Sequence, residues 1–143
     1  MAEIMTIKLG GRTNFVEEIP YGGGAKRSQY GWEEGMTEDQ CWEAAQGWWR
    51  LEPGRAIRAK LALVLNNDSE VVAIGRIEGV VKGEDRLWLL GKQDATGYEQ
   101  WLHKHVNRNH SQNPIAYFDE KRFVKPEDVT AETADIIIDD AKN

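Results

Sequence analysis

Apolar positions along this chain change their period several times, and each change marks an element. Ile4-Met5-Thr6-Ile7-Lys8-Leu9 is alternating and β-branched and is stopped by Gly10-Gly11, which predicts a short strand. From residue 10 to residue 35 no period is sustained and glycine and polar residues dominate, which predicts a long loop carrying Tyr21, Tyr30 and Trp32. Thr37 followed three residues later by Gln40 is a capping-box pattern. Glu38 and Asp39 sit where the helix dipole favours acids, so a helix is predicted from residue 38. Cys41, Ala45 and Trp48, overlapped by Trp42, Ala45 and Trp49, give that helix a broad aromatic face as far as residue 50, and Pro53-Gly54 ends it. Residues 55–60 then form either a helical turn or the approach to a strand.

The clearest β pattern follows. Leu61-Ala62-Leu63-Val64-Leu65 is a short apolar run, Asn66-Asn67-Asp68-Ser69 is a turn cluster, and residues 70–82 are extended again, which together predict a hairpin. Gly75 and Gly79 mark bulges or bends in its second arm. Arg86-Leu87-Trp88-Leu89-Leu90 adds a third antiparallel strand. Residues 97–106 are predicted helical, with Tyr98, Trp101, Leu102 and His105 on one side. Pro114-Ile115-Ala116-Tyr117-Phe118 returns a strand to the sheet, with proline at its first position. Residues 129–141 are a short acidic helix, an irregular tail, or an edge strand through Ile136-Ile137-Ile138. The fold class expected is α+β, a small twisted antiparallel sheet with two or three packed helices.

Composition narrows this picture without redirecting it. A length of 143 residues supports one domain, read here as residues 1–125 followed by an acidic C-terminal segment, 126–143. An apolar fraction of 41% and a charged fraction of 29% are those of a chain that folds. No apolar run is long enough for a membrane span, and the N-terminus lacks a basic stretch followed by an apolar one. A single cysteine, Cys41, excludes an internal disulfide, so a reducing cytoplasm is the expected location and a small buried side chain its ordinary role. The net charge of −6 argues against a generic nucleic-acid binder. Residues 119–143 hold eight acids and four bases, which leaves the body of the chain nearly neutral.

Candidate chemistry is sparse. His103, His105 and His110 are close in sequence, but residues two apart on a helix project to opposite sides, so a metal site is not expected and surface or capping roles are. The stretch Gly22 to Ser28 resembles a phosphate loop only superficially, because Ala25 precedes Lys26 and Arg27 follows it. No nucleophile elbow, dinucleotide fingerprint or paired carboxylate pattern is present, so catalysis and cofactors are not expected. Six tryptophans, at 32, 42, 48, 49, 88 and 101, do stand out. Their plain reading is core filling; the alternative is a stacking platform for a base, a nucleotide or a cation. Arg50, Arg55, Arg58 and Lys60 follow the tryptophan helix, and Arg76 lies on the hairpin. They either cap the helix and pair with Glu43, Glu52 and Glu78, or face a planar anionic ligand.

The succession Trp49-Arg50-Leu51-Glu52-Pro53-Gly54-Arg55-Ala56, the strand to Leu65, the segment 71–81, Arg86-Leu87-Trp88 and Asn113-Pro114-Ile115-Ala116-Tyr117 resembles a group of small bacterial and phage domains, some found beside nuclease domains. Their layout is similar to the PUA-like barrels that include the ASCH and EVE modules, and the resemblance covers roughly residues 37–118. It implies a partly open β-barrel with a helix across its mouth and a pocket that recognises RNA or a modified base without catalysing a reaction. On that resemblance the ligand-binding residues are Trp49, Arg50, Arg55, Trp88, Asn113 and Tyr117. The rings would stack, Asn113 would read a base edge and the arginines would meet phosphate. The acidity of this chain departs from the basic members of the group. Two functions follow as expectations: a recognition module for a nucleotide, modified base or single-stranded nucleic acid, and an acidic protein-interaction factor whose C-terminal segment meets a basic protein partner. A small nucleotide hydrolase would need a carboxylate cluster that the sequence does not reveal.

Overall fold

The computed structural model describes residues 2–10, 13–20, 26–30, 34–47, 49, 52–83, 86–108 and 114–138, with only the backbone described for 13–20 and 26–30. In chain order the elements are β1 (Glu3–Lys8), β2 (Thr13–Pro20), β3 (Lys26–Tyr30), α1 (Glu38–Ala45), α2 (Pro53–Ala59), β4 (Leu61–Leu65), β5 (Val71–Lys82), β6 (Leu87–Gln93) and β7 (Ile115–Asp119). Five strands form one open sheet in the order β6-β5-β4-β1-β7, and β2 and β3 form a separate antiparallel pair. No described helix is long and apolar enough to cross a membrane.

The β4–β5–β6 meander forms as the apolar pattern predicts. Asn66 Oδ1 accepts from the backbone N–H groups of Asp68 and Glu70 at 2.9 and 3.0 Å and so holds the turn. The register of β5 against β6 shifts between Ile77 and Gly79, where a bulge was expected. The sheet as a whole is mixed rather than antiparallel, because β1 runs parallel to β4 with Met5 opposite Ala62, while β7 is antiparallel to β1. Nor does it close into a barrel: β6 and β7 stand at opposite edges. A parallel pair needs a long crossover, and the segment that the sequence assigns to a loop supplies part of it. Residues 10–35 contain the β2–β3 pair, whose register shifts between Asn14 and Ile19. A ladder of backbone hydrogen bonds needs no apolar period, which is why the pattern is silent there.

Two helices differ from expectation at their ends. The capping box forms: the Gln40 N–H donates to Thr37 Oγ1 at 3.1 Å, and the Thr37 N–H donates to Gln40 Oε1 at 2.8 Å. However, α1 stops at Ala45 and the chain turns to cover the edge of β6. The Trp49 N–H donates to the Leu87 carbonyl at 2.9 Å, the Leu87 N–H donates to the Trp49 carbonyl at 2.7 Å, and the Leu89 N–H donates to the Gln46 carbonyl at 2.6 Å. Pro53 does not end a helix but begins α2, the first-turn position where its missing N–H costs nothing, and the Glu52 carboxylate accepts from Gly54 and Arg55 as the N-cap. The helix expected over 97–106 reduces to a 3-10 turn, Glu99–Trp101. Beyond it His103 takes a left-handed φ of 68°, and its N–H donates to the Val71 carbonyl at 2.8 Å, so this segment pairs with the start of β5 instead of winding on.

Both faces of the sheet are covered, which explains why β4 is buried at every position. On one face α1 and α2 bring Cys41, Trp42, Ala45, Ala56 and Ala59 against Met5, Ile7, Ala62, Val64 and Leu89. On the other, chain without helices brings Trp101, Val106, Phe123, Ile136 and Ile137 against Ile4, Leu61, Leu63, Leu65 and Ile74. The described part of the acidic C-terminal segment therefore supplies core side chains. After a 3-10 turn, Pro126–Asp128, it forms neither an α-helix nor a full edge strand but two isolated bridges, Asp135 beside His105 and Ile137 beside Phe123.

Candidate functional site

Four of the six residues singled out from the sequence are described, and they fall into two groups. Trp49 and Trp88 stand at the β6 edge. The Trp49 indole N–H donates to the Ala45 carbonyl at 2.6 Å, and Trp88 is only 5% exposed. Arg55 and Tyr117 meet at the opposite edge, where the Arg55 guanidinium lies 4.3 Å from the centre of the Tyr117 ring. Three strands separate β6 from β7. At about 4.8 Å per spacing the two groups are roughly 19 Å apart. Arg50 and Asn113 lie outside the described residues, as do Trp32, Trp48, His110 and most of the glycine-rich stretch before Lys26.

The Arg55 guanidinium is already engaged. Its Nε and Nη2 donate to the two carboxylate oxygens of Glu3, each at 2.8 Å, a forked pair linking α2 to β1. The hydrogen bonds from Arg55 hold the Glu3 carboxyl below its ordinary value of 4.5, and Glu3 in turn raises Arg55. Burial pushes the Tyr117 phenol up, and its hydroxyl is enclosed without a hydrogen-bond partner. An anion arriving here would have to displace Glu3.

The other face of the sheet holds an open cavity of about 510 Å³. Its apolar wall is built from Ile4 on β1, Tyr98 and Trp101 from the 3-10 turn, Phe123, Pro126 and Ile138. The rings form a packed row: Tyr98 and Trp101 have centroids 4.8 Å apart at 44°, and Trp101 and Phe123 are 5.2 Å apart at 32°. Trp101 is anchored by its indole N–H, which donates to the Val124 carbonyl at 2.8 Å. Glu120, Lys121, Lys125 and Asp128 supply charge around the opening. The Arg76 guanidinium lies 5.1 Å from the Tyr98 ring centre and is not among the lining residues. The volume falls in the range of small-molecule sites, and an aromatic wall with a few charged groups at its lip suits a planar ligand.

Sequence reasoning placed Tyr98 and Trp101 on one face of an element and Arg76 on the hairpin, but it did not see Phe123, Lys121 or Lys125 as partners. The available signal was the run from Glu120 to Asp128, where Phe123, Val124 and Pro126 interrupt six charged residues. Among the described residues no three His, Cys, Asp or Glu side chains gather to hold a metal ion, and His103 instead meets Glu70 with 3.0 Å between Nδ1 and Oε2. No protein-family model matches this chain, and no curated protein or solved structure matches it either, so the cavity is interpreted from its own geometry.

Proposed function

We propose that this chain is a non-catalytic recognition module that takes a base, alone or within a nucleotide or single-stranded nucleic acid, onto the ring of Tyr98, which Trp101 and Phe123 hold in place from the core. The observation that carries this reading is an open cavity of about 510 Å³ lined by the half-buried ring of Tyr98, which the buried rings of Trp101 and Phe123, 2% and 4% exposed, back from behind, with exposed lysines among the lining residues. A ring face offers dispersion and π contact to any heteroaromatic ligand, and the lysines provide donors for its polar edge. The reading does not depend on the PUA-like resemblance, and it moves the ligand away from Arg55, whose charge Glu3 balances.

Calorimetric titration with nucleosides, nucleotides and a short mixed-sequence single-stranded oligonucleotide tests it. Tyr98 is half-buried at the opening, so Tyr98→Ala removes stacking surface without emptying the core. It should weaken binding about tenfold or more, since stacking on an aromatic ring is worth roughly 1–3 kcal/mol per base. Weakening by Arg55→Ala but not by Tyr98→Ala would put the ligand on the helix-bearing face instead.

The acidic-partner reading keeps one supporting observation: Glu127, Asp128 and Glu132 are exposed on chain that Ile136 and Ile137 pin to the core. Pull-down of a basic protein that is lost on neutralising Glu127 and Glu132, with no ligand in the cavity, would favour it.

A further inference from the structure

We infer that the cavity selects an uncharged base or its nucleoside and gains nothing from a phosphate on the ligand. The inference rests on the recognition reading above and deepens it. Two acids, Glu120 and Asp128, and two bases, Lys121 and Lys125, are among the residues that line the cavity. All four are exposed, and none forms an ion pair with another described residue. A phosphate brought to this lip meets two carboxylates together with two ammonium groups, inside a molecule whose net charge is −6.

The backbone offers no substitute. Phosphate sites usually present several free N–H groups. Here the Lys121 N–H donates to Asp119 Oδ1 at 2.9 Å, that of Phe123 to the Glu120 carbonyl at 3.1 Å, that of Val124 to the Ile136 carbonyl at 2.7 Å, and that of Asp128 to the Lys125 carbonyl at 2.9 Å. The nearby Arg76 donates to the Thr96 carbonyl at 2.5 Å. What the lip does offer is a matched set of acceptors and donors. Carboxylates take hydrogen bonds from exocyclic amino groups, and ammonium groups give them to carbonyl oxygens and ring nitrogens. A base edge carrying both kinds, as guanine and cytosine do, satisfies this set; a polyanion does not.

The experiment compares guanosine and cytidine with their 5′-monophosphates by calorimetry on the full chain, at low and moderate salt. The nucleoside should bind as tightly as the monophosphate within about threefold, and its affinity should change less than about twofold between roughly 50 and 300 mM salt, because no counterions are released. Replacing the acids, Glu120→Gln with Asp128→Asn, leaves two unopposed lysines and should turn the preference toward the monophosphate by about tenfold, with salt sensitivity appearing. Circular dichroism of the double variant verifies that these exposed substitutions leave the fold intact. A tenfold or greater preference of the unaltered chain for the monophosphate overturns this inference while keeping the recognition reading. Failure of every nucleoside and nucleotide to bind overturns both.

Discussion

Trp42 lies flat against β5 and β6 where each strand has a glycine. A methyl group at Gly75 would overlap the six-membered ring of Trp42, and one at Gly91 would meet both the same indole and the backbone of Arg76. The sequence suggests a bulge at Gly75, but the position is in register with Gln93 and Ala62, so its lack of a side chain serves close approach instead. Overpacking of this kind costs about 1–3 kcal/mol. Gly75→Ala should therefore lower the unfolding free energy by that amount and the urea midpoint with it, and Trp42→Phe in the same chain should recover part of the loss, a coupling that a double-mutant cycle measures. An unchanged midpoint in Gly75→Ala would contradict this packing. Tyr98 and Trp101 were visible as neighbours because they are three residues apart; Phe123 joins them only through the fold.

At the scale of elements, the parts legible in the sequence are those settled within a few residues. Thr37 and Gln40 cap α1 and Asn66 holds the β4–β5 turn, whereas the Glu52 cap of α2 is not legible there, because Pro53-Gly54 reads equally as a helix end. The Glu3–Arg55 pair is different in kind, since its members are 52 residues apart and fasten α2 onto β1. Its pH dependence has a definite sign. The folded-state pKa of Glu3 is lowered, so the pair's contribution is complete above the ordinary value of 4.5 and is lost as pH falls through the lowered value. The two side chains are 45% and 37% exposed, and solvent screening keeps the effect below about 1 kcal/mol. Glu3→Gln should thus be slightly less stable than the unaltered chain at neutral pH and converge with it in acid. A gap between their urea midpoints that widens on acidification would be incompatible with this assignment.

For the whole molecule the sheet acts as a partition between two cores, one roofed by helices and one by irregular chain. Irregular chain can serve as a roof because its polar groups are paired: the Ile136 N–H donates to the His105 carbonyl at 2.9 Å, and the His105 N–H donates to the Ala134 carbonyl at 2.8 Å. Ile136 is fully buried and Ile137 is 8% exposed. Removing residues 126–143 would uncover Ile4, Trp101 and Phe123 as well as delete the buried Ile136 and Ile137. Burying one such side chain is worth about 1.5–3 kcal/mol, so the truncated chain should lose most of its stability and its cooperative unfolding transition. Retention of a sharp transition at nearly the original urea midpoint would show that the acidic segment is dispensable. The same roof builds the cavity, so truncation cannot separate a docking role from ligand recognition, whereas point substitutions at the lip can.

The sequence by itself determined the capping box at Thr37, the turn at Asn66 and the β4–β5–β6 meander, because period, β-branching and capping side chains act on immediate neighbours. It also marked Leu61 to Leu65 as one arm of a hairpin, and the structure shows that arm buried at every position. Only the tertiary structure decided that β1 pairs in parallel with β4, that α1 yields to an edge-covering strand segment at Trp49, and that Tyr98, Trp101 and Phe123 share one wall. The physical reason is that hydrophobic patterning specifies how much surface an element must bury and leaves its partner open. That choice is made when shape, hydrogen-bond register and charge are satisfied together across residues far apart in the chain.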